Sequence, residues 1–314
     1  MLLFCLNVSA QNERMLLLES FTNTGCVPCA QYNPAMDSLI ANNPDKVAAI
    51  KYHVSWPSAS DPMYLHNTSD NDAKTGYYGV NSVPHVVIDG NRFSGSPGQL
   101  SQGIIDQLQA IASPVELRLS HRFDEAGNTI TVHVMGKTLA NLVGDIRLFV
   151  GVIEKEIHFD LPPGPNGERD FHDVMKKIMP SASGESLGEN MPPNTAFDFT
   201  FTWSMENVYD LNRLDAIAWV QNHHTKEVYQ ACKSNSPTGL GEKTDTWCSV
   251  FPNPTSGTVT IVAESGQKVS VCNMAGQCVY EGTGEGPIQI DLKRFGSGVY
   301  AIRMGSETQR VIVR

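Results

Sequence analysis

Cys26-Val27-Pro28-Cys29 is the stretch of this 314-residue chain whose residue types and spacing can do chemistry. It follows an apolar run, residues 15–18 and then Phe21, and precedes a segment with helical spacing. A C-x-x-C at a strand-to-helix turn puts its first sulfur at a helix N-terminus, where unpaired amides and the macrodipole stabilise a thiolate. Cys26 is therefore the expected nucleophile and Cys29, one turn further in, the resolving thiol. Pro28 suits a first helical turn, where its missing N–H costs nothing. Two other readings stand beside this one. The pair could be half of a zinc site, but no second C-x-x-C or H-x3-H lies near and only the scattered His53 and His85 could complete it; no metal is expected. It could also be an inert structural disulfide.

The elements that must position this pair alternate between strand and helix. Strands are predicted over residues 15–21 and 46–54, with a helix over 28–42 between them. A polar helix follows over about 61–78, ending at Gly79. Val83-Pro84-His85 then opens a strand closed by Asp89-Gly90, a hairpin signal. A last helix over 99–111 carries Leu100, Ile104, Ile105, Leu108 and Ile111 on one stripe.

This order of elements around a C-x-x-C and a Val-Pro resembles a thioredoxin-like domain, over about residues 14–113. The resemblance implies a cis Val83–Pro84 bond lying against Cys26 and Cys29, with Pro84 presenting backbone groups to an extended substrate; the other reading of Pro84 is a trans proline opening an edge strand. Two departures stand out. Gly25 replaces the tryptophan that thioredoxins carry before the first cysteine. Ser20 replaces the buried acid that helps move the proton of the second cysteine, and Glu19 points to the opposite face of its strand. Both weigh against efficient reductase activity. His85 is a candidate for tuning the Cys26 thiolate as an imidazolium, or is simply a structural histidine.

After Ser113-Pro114 the period changes to two. Strands at 115–120, 129–135, 146–154, 196–203, 214–222 and 227–232 suggest an antiparallel sandwich. Together with the first segment and the Leu-Leu-Leu-Glu-Ser-Phe-Thr start, it is similar to the outer-membrane-protein (Omp)-related family of thioredoxin-like surface proteins. Residues 155–195 read as the sandwich's long loop and hold two decoys. Gly184-Glu185-Ser186-Leu187-Gly188 matches G-x-S-x-G without the strand before and helix after that a nucleophile elbow needs. Asp170, His172 and Asp173 could form a carboxylate–histidine pair but fit a solvated loop better.

Residues 249–314 carry a second specific pattern: Phe251-Pro252-Asn253-Pro254-Thr255-Ser256-Gly257, a central hairpin around Met274-Ala275-Gly276-Gln277, and a final Gly298-Val299-Tyr300 strand followed by Arg310-Val311-Ile312-Val313-Arg314. This resembles the C-terminal sorting domain of the type IX secretion system. The resemblance implies passage across the outer membrane, engagement of that machinery, and attachment or release at the cell surface. An adhesive or carbohydrate-binding sandwich is the alternative, weakened by the lack of an aromatic platform.

The expected fold class is thus an α/β thioredoxin-like domain (11–113), an all-β antiparallel sandwich (114–235), a linker (236–248) and a small C-terminal β-sandwich (249–314). Residues 1–10, apolar and ending in Val8-Ser9-Ala10, read as a signal peptide with a truncated start. Removing them takes Cys5 and leaves six of seven cysteines, an even count suited to an oxidising compartment. Six cysteines allow fifteen pairings; the favoured set is Cys26–Cys29, Cys232–Cys248 and Cys272–Cys278. A formal net charge of −10 without a basic block argues against nucleic acid. No transmembrane helix and no cofactor are expected. Two functions remain: a thiol–disulfide oxidoreductase acting on protein thiols or disulfides, or a non-enzymatic surface binding or adhesion protein that reuses the scaffold.

Overall fold

The computed structural model describes residues 13–124, 128–234 and most of 249–313, in two units, Met1–Ser236 and Pro237–Arg314. The expected leader, the linker and Cys248 lie outside the described residues.

In the larger unit, β1 (Leu16–Thr22) pairs in parallel with β2 (Val47–His53), and α1 (Val27–Ala41) connects them. Both strands are buried along their whole length, as their apolar runs require. The helix predicted over 61–78 forms as two, α2 (Pro62–His66) and α3 (Thr68–Tyr78). The break is Asn67, whose extended backbone lets its side chain accept from Asp70 N at 3.1 Å and cap α3. β3 (His85–Ile88) and β4 (Phe93–Gly95) form the expected hairpin, turning through Asp89 and Gly90 at φ 47° and 72°, the positive pair that an Asp-Gly turn supplies. α4 (Gln102–Gln109) and α1 cover one face of these strands over Leu16, Leu18, Met36, Val86, Ile88 and Ile105.

The chain continues through β5 (Val115–Asp124), β6 (Thr129–Thr138), β7 (Leu142–His158), β8 (Asp170–Met179), β9 (Glu185–Met191), β10 (Ala196–Ser204), β11 (Leu214–Asn222) and β12 (Val228–Lys233). Four of these join the earlier strands in one sheet of order β12-β11-β7-β8-β2-β1-β3-β4, with β9 pairing to β7. β8 lies parallel to β2, so Ser113-Pro114 falls inside the larger unit. A three-stranded sheet, β10-β6-β5, packs on β7 and β11 through Ile130, Val132, Val134, Leu148, Val150 and Ala218. The unit is mostly β, and the antiparallel layer of its second half is continuous with the sheet of its first.

Residues 155–195, expected as a long loop, instead hold the end of β7 and all of β8 and β9. β8 hides from an apolar-alternation reading because it buries a charge. Lys176 is 2% exposed and ion-paired to Glu154 of β7 at 2.9 Å, so a lysine occupies a core position. The G-x-S-x-G stretch runs into β9 and on toward β10 with no helix after it, which removes the nucleophile elbow.

In the smaller unit, β13 (Ser249–Phe251), β14 (Thr258–Val262), β15 (Lys268–Asn273), β16 (Cys278–Thr283), β17 (Ile288–Asp291), β18 (Gly298–Met304) and β19 (Glu307–Val313) make two sheets, β13-β14-β17 and β16-β15-β18-β19. Their shared core includes Val259, Ile261, Val271, Tyr300, Ile302 and Val311. Cys272 and Cys278 face each other across β15 and β16 and are disulfide-bonded. The expected Cys232–Cys248 bond involves Cys248, which lies outside the described residues. Cys232 is a free cysteine packed against the core of β5–β7, where burial pushes its thiol up to about 12. No helix among the described residues is long and apolar enough to cross a membrane.

Candidate functional site

β1 delivers the chain to the C-x-x-C through a tightly bonded turn. Asn23 Nδ2 donates to Val54 O at 2.7 Å and to Ser58 O at 2.9 Å, while its Oδ1 accepts from Gly25 N at 2.8 Å. The residues after β2 thus press on the turn, and a Cβ at Gly25 would come 2.8 Å from Ser58 Cβ. That contact explains why no tryptophan stands there. Cys26 is the N-cap of α1: its Sγ accepts from Cys29 N at 3.1 Å and is bonded to Cys29 Sγ. Cys26 is 4% exposed and Cys29 is 0%, so both are buried, the first slightly less deeply. Val27, the next residue, is 68% exposed.

The Val83–Pro84 bond is cis, and His85 is the partner of Phe21 in the β1–β3 register. Pro84 therefore sits at the sheet end from which the Cys26 turn leaves. His85 Nε2 lies 2.9 Å from Ser94 Oγ, and burial holds its pKa below the ordinary histidine value. Burial thus disfavours the imidazolium form that tuning of the Cys26 thiolate would need. His53 Nδ1 is 2.8 Å from Asp61 Oδ2, and both side chains are buried.

Three residues beneath the pair escape a reading of the sequence. The segment between β7 and β8 folds back over the turn. Asn166 N donates to Thr24 O at 3.1 Å, and Asn166 Nδ2 reaches Asn23 O and Cys26 O, each at 3.3 Å. A Cβ at Gly164 would lie 2.4 Å from Thr24 O, so this approach needs glycine. Two residues on, Glu168 accepts from Asn33 Nδ2 at 2.7 Å and from Asn166 Nδ2 at 2.5 Å. Asn33 lies one helical turn after Cys29 on the same face of α1 and also donates to Thr22 Oγ1 at 3.2 Å. Burial raises the Glu168 carboxyl above its usual value, against the lowering effect of the two asparagines. The signal in the sequence is only Asn33, a polar residue at a core-facing spacing. Nothing local ties Glu168 to it. Asp170, by contrast, pairs with His158 at 2.6 Å on an exposed strand edge.

A second polar chain runs behind the first. Burial pushes the Asp61 carboxyl up, but His53 and the Thr24 and Tyr64 amides outweigh it and hold the group below the usual range. Further along, His66 Nδ1 is 3.0 Å from Lys176 Nζ and its Nε2 is 3.0 Å from Tyr209 OH. Burial and the Lys176 charge lower the His66 pKa to about 3. The unfolded chain takes up a proton here near pH 6.5 and the folded chain does not, so stability is lost as pH falls from about 6.5 toward 3. The thermal midpoint is expected to drop over this range, and less steeply in a His66→Gln variant. Parallel slopes for the two proteins would contradict this assignment.

Residues 249–314 match the family described as a secretion system C-terminal sorting domain, and residues 71–236 match the family described as outer membrane protein Omp28. No curated protein matches the sequence. Among solved structures, HBP35 of Porphyromonas gingivalis aligns at a TM-score of 0.56 with 16% identity, covering 96% of this chain and 99% of that one, a likeness of fold alone. A structural-genomics protein from Agrobacterium tumefaciens aligns at 0.47 with 17% identity over 74% of this chain and all of its own. A domain of the outer membrane lipoprotein Omp28 from Porphyromonas gingivalis aligns at 0.27 with 18% identity, over 39% of this chain and 87% of its own. Scores this low carry no argument. The sorting domain marks the protein as cargo of the type IX secretion machinery, exported to the cell surface. With more than half of its residues matched, the chain belongs to the outer membrane protein Omp28 family.

Proposed function

We propose that the protein is a surface-exported thiol–disulfide oxidoreductase of thioredoxin-like fold, working in the oxidising direction on protein thiols. The observation that carries this reading is the position of Cys26, bonded to Cys29 while capping α1 and accepting the Cys29 amide. A thiolate released there is stabilised by that N–H and by the helix N-terminus, and stabilising the reduced form makes a disulfide more oxidising. A substrate thiolate attacks Cys26 Sγ, on the less deeply buried of the two cysteines, and Cys29 leaves. A second substrate thiol then attacks the mixed disulfide and departs joined to the first, with Cys26 released as thiolate. The two electrons come from the two substrate thiols. The cis Pro84 at the same end of the sheet supports docking of an extended chain. Outside the cell no thiol pool recharges a reductase, which also favours this direction.

A second reading, a binding protein in which the pair is only structural, is favoured by the burial of both cysteines and the loop bonded across the turn. Oxidative refolding of a reduced protein by the full chain separates the two. The Cys26→Ser variant is expected to fall to the uncatalysed rate and Cys29→Ala to accumulate a mixed disulfide. Equal rates for wild type and Cys26→Ser would remove the enzymatic reading.

A further inference from the structure

We propose that Glu168, brought to the C-x-x-C by the segment between β7 and β8, holds the proton that Cys29 takes up when the disulfide opens. This deepens the oxidoreductase reading and rests on it for its catalytic sense. Cys29 is fully buried, so a thiolate leaving at that sulfur has no water to neutralise it and burial disfavours its charge. β1 supplies no acid, since Ser20 occupies the inward position. Its Oγ, with Thr24 Oγ1 and Asn33 Oδ1, makes no hydrogen bond although buried. Asn33 follows Cys29 by one helical turn, so one of these unpartnered oxygens stands on the helix face that carries the thiol.

The carboxyl that can supply the proton is held on the same face of α1. Asn33 Nδ2 holds Glu168 Oε1 at 2.7 Å, and Asn166 ties the same carboxyl to the Cys26 carbonyl. The charged groups that act on it are His53 and Lys51 of β2. His53 is paired with Asp61, and Lys51 with Asp37 of α1. On its other side Glu168 lines a cleft of about 960 Å³, with Asn33, Asp37, Asn166, Asp173 and Lys233 on its walls. The carboxyl therefore has a buried side toward the cysteine turn and an open side toward water. In the step itself, the attacking thiolate bonds to Cys26 Sγ, the Cys26–Cys29 bond breaks, and Cys29 Sγ leaves with the electron pair. The Glu168 proton converts it to a thiol, and the carboxylate is reprotonated from the cleft.

The test reads Cys29 directly and does not depend on turnover. In the full chain carrying Cys26→Ser, the pH dependence of iodoacetamide labelling at Cys29, resolved by peptide mass spectrometry, gives its thiol pKa. Adding Glu168→Gln removes a nearby negative charge and is expected to lower that pKa by about one unit, while Glu168→Asp keeps most of the original value. An unchanged pKa in the Gln variant overturns the proposal even if the protein is an oxidoreductase. If Glu168→Gln fails to fold, Asn33→Leu, which releases the carboxyl from α1, is read in its place. A shift in the pKa with no refolding activity in the parent protein would instead sink the enzymatic reading and leave the coupling standing. With activity present, the Glu168→Gln refolding rate per thiolate should lose its decline with rising pH. A uniform loss at every pH would mean a structural role and count against the proposal.

Discussion

Lys74→Met is expected to destabilise the larger unit by about 3–5 kcal/mol, because it leaves a carboxylate buried without its counter-ion. Glu19 is 0% exposed, and its partners are Lys74 Nζ at 2.9 Å, Tyr52 OH at 3.0 Å and Tyr78 OH. Lys74 in turn lies 5.0–5.8 Å from the ring centres of Tyr52, Tyr77, Tyr78, Phe149 and Trp219. Such a cage compensates a desolvated ammonium in part through cation–π attraction, and the carboxylate supplies the rest. Methionine fills the space but brings no charge, so the burial cost of Glu19 is exposed in full. Adding Glu19→Gln removes that charge too, and the double variant should recover much of the loss. Denaturant unfolding of the four proteins measures this. A Lys74→Met penalty below about 1 kcal/mol, the range of surface pairs, would show that the pair is not desolvated as the structure describes it. Against a typical total stability of about 5–15 kcal/mol, the expected loss is enough to reduce the amount of folded protein in the cell.

Deleting residues 249–314 is expected to abolish surface display and leave the protein in the periplasm. The sorting-domain match covers this stretch and no more, and the stretch folds around its own core. It belongs to a compact unit of its own, so its removal deletes an address while sparing the buried ion pairs of the cysteine-bearing unit. Protease accessibility on intact cells, with periplasmic fractions compared by immunoblot, provides the measurement. Undiminished surface labelling of the truncated protein would show that another segment directs export.

The two predictions differ in how far the chain's order of residues anticipates them. The sorting domain and the C-x-x-C are local patterns: a cysteine spacing, a Pro-Asn-Pro run, a series of alternating strands. Local spacing was also enough for β1, α1, β2, the Asp89-Gly90 hairpin and the six strands of the second half, since each follows from the periodicity of its own apolar residues. The helix break at Asn67 was missed because a polar residue in a polar helix gives no sign of being a cap. β8 was missed because its buried positions include Lys176, whose partner Glu154 lies on another strand.

What residue order alone determined, then, was a C-x-x-C at a helix start and an export tail, both written in contiguous residues whose geometry follows from bond lengths and strand or helix period. Tertiary structure decided how deeply the two cysteines are buried, that β8 joins β2 in a common sheet, and that Glu168 is bonded to Asn166, whose side chain meets the Cys26 carbonyl from 140 positions away. The reason is physical. Burial and charge pairing are set by which surfaces meet in space, and a buried polar side chain looks the same in a sequence as a solvated one until its partner is brought beside it.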